Sequence, residues 1–308
     1  MNRRQLLHAA IVPLLASYAW AATARRFTVL YPELPAPERD IFGAIREGLQ
    51  TTVSQGGGSI IEHAVTPATT ASASTQLITQ DSAEAIIALG RIATSLVEQT
   101  HPQQPVIAGA TELAIPSPSL GGISLVVSPD RVFETLNEVA PRIRRVSVVL
   151  SPDRFGWLRP YMERAARARS LTLSIYEARS VAEAASHYFN ILRYGNPQTD
   201  SLWLLEQGQF VTPDTLPHII EDAWAARFAI FSSVLAHASE GALFALYMNP
   251  GSLGTRLGRI ALDAHGKTPA LLLDQAPLRA INARTAHHLA GVVDESRIHN
   301  FDLVLGDG

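Results

Sequence analysis

Short apolar runs rich in strand-forming residues alternate with segments of helical spacing along most of the chain. Between the first two runs, for example, Ile41, Ile45 and Leu49 recur every four residues, which places them on one face of a helix. Because such alternation is typical of a parallel sheet covered by helices on both faces, the sequence predicts an α/β fold. The predicted strands cover residues 27–31, 59–65, 85–89, 105–110, 123–127, 145–150, 171–175, 202–205, 228–231, 242–247 and 278–281.

The alternation starts afresh at Ser128, so we predict two doubly wound units in series. With 308 residues and 47% hydrophobic content, the chain can bury a core in each unit. The tail is too short for a third domain, and we expect it to complete both sheets through a multi-strand hinge, with a turn at 249–251. The predicted division is lobe 1 at residues 25–121 plus 248–276, and lobe 2 at residues 122–247 plus 277–308.

The first 24 residues have the composition of a secretory signal peptide. Arg3 and Arg4 form a basic start, the apolar run Leu6–Ala19 follows, and small residues end the segment at Ala22–Ala24. The apolar run is shorter than the roughly 20 residues that span a bilayer. Paired arginines also occur in twin-arginine signals, so the Sec and Tat routes both stay open. Either route predicts export to the periplasm.

Charge and cysteine content exclude several functional classes. The formal charge of −3 becomes −5 when the signal segment leaves with its two arginines and no acids, which disfavours nucleic-acid and anionic-membrane partners. The chain has no cysteine, so disulfides and a thiol nucleophile are excluded. We expect a monomer with no stable membrane insertion.

Enzyme signatures are missing from the sequence. Neither a G-x-S-x-G elbow nor an H-E-x-x-H motif occurs, and the ten histidines are scattered. Gly266, Lys267 and Thr268 resemble the end of a Walker loop, but the glycine required five positions earlier is Ala261. The sequence therefore predicts a protein that is not an enzyme and has no metal or cofactor.

Ligands of open parallel sheets bind beyond the carboxyl ends of the strands. If the two predicted units face each other, their strand ends line one cleft. The predicted ligand-binding residues are Tyr31, Gly90, Arg91, Ile92, Ala93, Thr111 and Glu112 in the first unit, and Ser151, Asp153, Phe155, Glu206, Gln207, Ser232 and Ser233 in the second.

One strand end stands out in this set. The apolar strand Ala85–Leu89 runs into Gly90 and then into a helix, so unpaired backbone N–H groups at the helix start could receive an anion. Arg91 could instead pair with a surface acid such as Glu98. In the second unit, Phe155 and Trp157 are predicted as exposed loop aromatics that cover a ligand.

Seven segments of the chain carry a family resemblance: 88–93 (ALGRIA), 105–112 (PVIAGATE), 121–124, 139–149, 239–243, 254–260 and 280–289. In order and spacing they are similar to the ABC-transporter substrate-binding family whose members include tryptophan- and tyrosine-binding proteins. The resemblance implies a type I periplasmic-binding fold, with two α/β lobes, three crossovers and a ligand trapped by hinge closure. It also implies a ligand carboxylate at Gly90–Ala93.

The chain departs from that family at three positions of the expected site. Arg91 stands where a small Thr or Ser is usual, Glu112-Leu113 where an Asp-Pro is usual, and Glu206-Gln207 where an Asp often ends the strand. Arg91 could hold a carboxylate or phosphate through two parallel hydrogen bonds, or it could fill the cleft.

The functional prediction is an exported solute-binding protein. It captures a small carboxylate, such as an amino acid, and passes it to a membrane permease or envelope sensor. The alternative is a degenerate relative whose locked lobes serve as an interaction module without a small ligand.

Overall fold

The structure is a computed structural model that describes residues 25–205 and 209–306. The predicted signal peptide at 1–24 and the predicted site residues Glu206 and Gln207 lie outside the described residues. Within the described ranges, no helix has both the length and the apolar character needed to cross a bilayer.

The strands form two sheets. In chain order the strands are β1 Arg26–Pro32, β2 Ser59–Val65, β3 Ala85–Leu89, β4 Val106–Gly109, β5 Gly121–Val127, β6 Arg145–Leu150, β7 Thr172–Glu177, β8 Asp200–Leu204, β9 Ala229–Ser232, β10 Phe244–Tyr247, β11 Leu271–Asp274, β12 Leu278–Asn282 and β13 Leu303–Leu305. The first sheet has the order β2-β1-β3-β4-β5-β11, and the second has the order β7-β6-β8-β9-β10-β12-β13.

Helices connect the strands and cover both faces of each sheet. Their bounds are α1 Glu38–Gln55, α2 Ala71–Asp81, α3 Gly90–Thr100, α4 Pro129–Val139, α5 Pro152–Phe155, α6 Arg159–Ala168, α7 Val181–Tyr194, α8 Leu216–Ala226, α9 Leu235–Glu240, α10 Pro250–Asp263 and α11 Ala283–His288, with 3₁₀ turns at Gly156–Leu158 and Glu295–Asn300. The predicted fold class, α/β with two doubly wound lobes, is confirmed.

Strand β3 shows how period-two alternation builds the core of lobe 1. Ile87 points to one face and joins a cluster with Leu49 of α1. Its neighbours Ile86 and Ala88 point to the other face and join a cluster with Val97 of α3. A strand buried on both faces in this way reads as a continuous apolar run, which is why the sequence reveals it so clearly.

The predicted boundary at residue 121 differs from the sheet assignment. Strand β5 pairs in parallel with β4 and with β11, so residues 122–127 belong to the first sheet. The predicted boundary falls between Gly121 and Gly122, but Gly122 lies inside the strand at φ +113°, where a Cβ would stand 2.0 Å from the Ala108 carbonyl oxygen. These glycines therefore permit close strand pairing and do not separate the lobes.

The C-terminal part of the chain departs most from prediction. The predicted turn at 249–251 is wrong, because Pro250 opens α10 and the Asn249 side chain accepts a hydrogen bond from the Ser252 N–H at 3.1 Å. Asn-Pro-Gly is compatible with a turn and also with a capped helix start, so local pattern did not separate the two. Strands β11 and β13 were not predicted. Strand β12 runs antiparallel to β10, in contrast to the other strand pairs.

Candidate functional site

A cleft of about 920 Å³ lies between the two lobes at the carboxyl ends of β3, β4 and β6. Seven of the predicted site residues line it: Gly90, Arg91, Ile92, Thr111, Glu112, Asp153 and Phe155. Ten further residues line the cleft and are not among the predicted site residues, although Trp157 was predicted to cover a ligand: Pro32, Leu34, Phe42, Ala110, Leu113, Ala114, Leu125, Val126, Arg154 and Trp157.

The lobe-1 wall is built around the turn from β3 into α3. Gly90 has φ +79°, and a Cβ there would stand 3.0 Å from the Phe42 ring and 3.3 Å from Pro32. Glycine therefore lets this turn lie directly against Phe42 without strain. The first N–H groups of α3 have no acceptor within the helix, and they open towards a cleft that Gly90 and Ile92 line. This wall can receive an anionic group.

Arg91 follows the glycine and is exposed on the cleft wall. Among the residues that the structure describes, none forms a hydrogen bond or an ion pair with its guanidinium, and the suggested pairing with Glu98 does not form. The side chain also leaves the cleft open. Arg91 thus presents its five N–H donors to the space between the lobes.

The lobe-2 wall is a helical segment, not the exposed loop expected from the sequence. Residues 152–155 form α5 and the 3₁₀ turn Gly156–Leu158 follows at once. This geometry turns Phe155 inward, where it is 3% exposed and packs in the lobe-2 core. The prediction of an exposed Phe155 is therefore wrong, although part of the ring still lines the cleft. Trp157 is half-buried, and its indole N–H donates to the Arg154 carbonyl oxygen at 2.9 Å.

An ion pair joins the two walls. The Arg154 guanidinium of lobe 2 donates to the Glu112 carboxylate of lobe 1 at 2.6 Å. The Arg154 Cζ also lies 5.0 Å from the centroid of the Phe155 ring. Glu112 is among the predicted site residues and Arg154 is not, because nothing in the local sequence marks an arginine as the partner of a residue 42 positions away.

Tyr31 and Ala93 do not line the cleft. The Tyr31 ring lies beneath the Arg46 guanidinium, with Cζ 3.9 Å from the ring centroid, and packs against the lobe-1 core. Side chains alternate along a strand, so its neighbour Pro32 reaches the cleft instead. Ala93 is fully buried on the face of α3 that packs in the lobe-1 core.

Three serines of lobe 2 that were predicted as site residues lie within that lobe. Ser232 is buried, donates to the Leu204 carbonyl oxygen at 3.0 Å, and lies 2.7 Å from the Nδ1 of His237. Ser233 accepts a hydrogen bond from the Trp203 indole at 3.2 Å. Ser151 is buried where the chain enters α5. None of the three lines the cleft.

The Ser232–His237 contact does not resemble a catalytic pair. His237 is fully buried, and burial lowers its pKa to about 4. Within the described part of the chain its Nε2 atom has no hydrogen-bond partner. The imidazole is therefore neutral at pH 7 and is sealed away from the cleft. In residues 25–205 and 209–306, His, Asp and Glu side chains also form no cluster suited to a metal ion.

Solved structures resemble the chain over nearly its whole length. No family model and no curated protein matches it. A substrate-binding protein with adhesive properties from Clostridium difficile, in its ligand-free, open form, superposes with a TM-score of 0.64 at 15% identity, covering 92% of this chain and 99% of that one.

The chain has the type I periplasmic-binding-protein fold. Two further structures of this kind share it at 15% identity. One is an ABC domain from Streptococcus pneumonia in complex with L-Trp, with a TM-score of 0.53 over 91% of this chain and 100% of that one. The other is a conserved domain protein from Vibrio cholerae, with a TM-score of 0.54 over 92% and 99%. The type I fold implied by the sequence resemblance is confirmed, and at this identity the likeness extends to the fold alone.

Proposed function

We propose that this chain is an exported solute-binding protein that captures a small, carboxylate-bearing organic ligand between its lobes. It delivers this ligand to an ABC-type permease or an envelope sensor. The observation that carries the proposal is the inter-lobe cleft of about 920 Å³, in which the α3 N-terminus and Arg91 face a wall with aromatic side chains. Volumes of 300–1,000 Å³ are typical of small-molecule sites.

The polar side of the cleft supports a carboxylate. A carboxylate at the start of α3 would satisfy N–H groups that lack helical acceptors, and Arg91 could add two parallel hydrogen bonds. Because Arg91 has no ion-pair partner among the described residues, no existing pair must break when the ligand enters.

The apolar side of the cleft supports an organic body of moderate size. Phe42 and Leu34 contribute apolar surface from lobe 1, and Phe155 and Trp157 contribute it from lobe 2. A neighbour of the same fold is described in complex with L-Trp, which makes aromatic amino acids the first compounds to test. Asp153, an exposed acid on the same wall, is suited to a ligand ammonium group.

A second candidate function is an interaction module with locked lobes and no small ligand. The Glu112–Arg154 ion pair favours this candidate, because it ties the two walls of the cleft together. The open cleft opposes it, since Arg91 does not fill the space.

A thermal-shift screen of residues 25–308 separates the two candidates. Amino acids, small organic acids and their amides are added one at a time, and a compound that binds only the native state raises Tm. We expect free acids to raise Tm more than the matching amides do. A screen without a hit would favour the interaction module.

A further inference from the structure

Glu112 and Arg154 are the two ends of a contact that crosses the cleft. Glu112 lies between β4 and β5 of the first sheet, and Arg154 lies in α5 after β6 of the second. Their side chains are 47% and 42% exposed, so the pair sits at the solvent-facing edge of the cleft. Any movement that separates the lobes here must stretch or break it.

The lobe-1 end of the pair is held in place by its own sheet. The next residue, Leu113, contacts the Ser124 hydroxyl of β5 through both its N–H and its carbonyl oxygen, each at 2.9 Å. Ser124 is fully buried, and the Leu125 N–H donates to the Thr111 carbonyl oxygen at 2.9 Å. Glu112 is thus fixed between two residues that are bonded to β5.

The lobe-2 end is fixed as well. The Trp157 indole N–H donates to the Arg154 carbonyl oxygen, and the guanidinium lies over the ring of the buried Phe155. The contact with the Phe155 ring limits the conformations of the Arg154 side chain, so forming the pair costs less side-chain entropy at this end than it would for a free surface arginine.

We propose that the Glu112–Arg154 ion pair is an electrostatic latch that holds the two lobes together across the cleft and makes their separation depend on salt. The inference deepens the proposed function, since lobe closure is what retains a ligand. Salt ions screen the attraction between exposed charges, so the latch weakens as ionic strength rises. Without the latch, the ratio of closed to open molecules falls about 1.4- to fivefold, the range measured for exposed pairs.

The experiment measures lobe separation without ligand, so its result does not depend on whether the proposed solute binds. The chain has no cysteine, which allows spin labels at Thr51→Cys on α1 and Ala182→Cys on α7, both exposed positions. Pulsed electron paramagnetic resonance then gives the distribution of distances between the lobes at low salt and at about 1 M salt, where the Debye length is about 3 Å.

Three variants are compared in this labelled background. Glu112→Gln removes the charge, and Glu112→Arg places a like charge against Arg154. Glu177→Gln is the matched control, because Glu177 pairs with Arg159 inside lobe 2 and the two side chains are 46% and 41% exposed. Both partners of that control pair lie on the same lobe.

The latch predicts a graded result. At low salt the distribution shifts to longer distances in Glu112→Gln and further in Glu112→Arg, while Glu177→Gln matches the native chain. High salt moves the native distribution towards that of Glu112→Gln. Identical distributions for the native chain and Glu112→Gln would overturn the latch, and so would an equal salt response in both.

Discussion

The two walls of the cleft are built on different physical principles. The lobe-1 wall depends on backbone geometry, because Gly90 at φ +79° brings the start of α3 against Phe42. The lobe-2 wall depends on side-chain packing, because the buried Phe155 holds the short α5 against the core. Backbone geometry leaves polar N–H groups free for a ligand, whereas packing positions the Arg154 side chain for the other lobe. In the proposed function, the lobe-1 wall therefore binds the ligand and the lobe-2 wall supplies the contact that holds the lobes closed.

The largest loss of stability is expected in the lobe-2 wall, which depends on side-chain packing. Phe155→Ala removes a side chain that is 3% exposed and should lower the free energy of unfolding by about 3–5 kcal/mol. Chemical denaturation measures this loss. Phe189→Ala is the control, because Phe189 is 51% exposed on α7 of the same lobe and should cost less than about 1 kcal/mol. Equal losses in the two variants would show that Phe155 does not anchor the wall.

A smaller loss of stability is expected where backbone geometry carries the wall. Gly90→Ala places a Cβ at a positive φ and 3.0 Å from the Phe42 ring, so the free energy of unfolding should fall by about 1–3 kcal/mol. Gly43→Ala in α1 is the matched control. No atom lies within 4 Å of its added Cβ, and alanine in a helix interior should stabilise by up to about 1 kcal/mol. A stable Gly90→Ala would mean that the turn does not require glycine.

The difference between backbone geometry and side-chain packing also decides how much of each wall could be predicted from the sequence. The lobe-1 wall is local: an apolar strand, a glycine and a helix follow one another between Ala85 and Ile92, and the structure keeps that order. The lobe-2 wall is not local, because the burial of Phe155 depends on a core drawn from distant segments. Arg154 was missed for the same reason.

Strand pairing shows the limit of local pattern at the level of the fold. Strands that alternate with helices were predicted well, and Ser59–Val65, Ala85–Leu89 and Arg145–Leu150 have the expected bounds. Strand β11 was missed, because it joins the first sheet only by pairing with β5, more than a hundred residues earlier. Tyr31 shows the corresponding limit for single residues, since the face that a strand-end side chain takes depends on the register.

Substitution of Arg91 should leave the free energy of unfolding almost unchanged and should lower only the affinity for the ligand. Its side chain is exposed, so Arg91→Ala should change the free energy of unfolding by no more than about 0.5 kcal/mol. Affinity for the acid that gives the largest thermal shift should fall about tenfold or more by titration calorimetry, because a charge-assisted hydrogen bond contributes about 1.5–3 kcal/mol. The affinity of Arg91→Lys for the acid should lie between those of the native chain and Arg91→Ala, since lysine keeps the charge and loses the planar guanidinium.

The effect of Arg91→Ala can be compared between that acid and its matching amide. If the guanidinium contacts the carboxylate, the loss caused by Arg91→Ala should be large for the acid and small for the amide. Arg259→Ala is the control, because Arg259 is an exposed arginine of the same lobe outside the cleft and should leave affinity for both compounds unchanged. An equal loss for acid and amide would assign Arg91 to the general shape of the lobe-1 wall. Recognition of the carboxylate would then rest on the backbone N–H groups of α3.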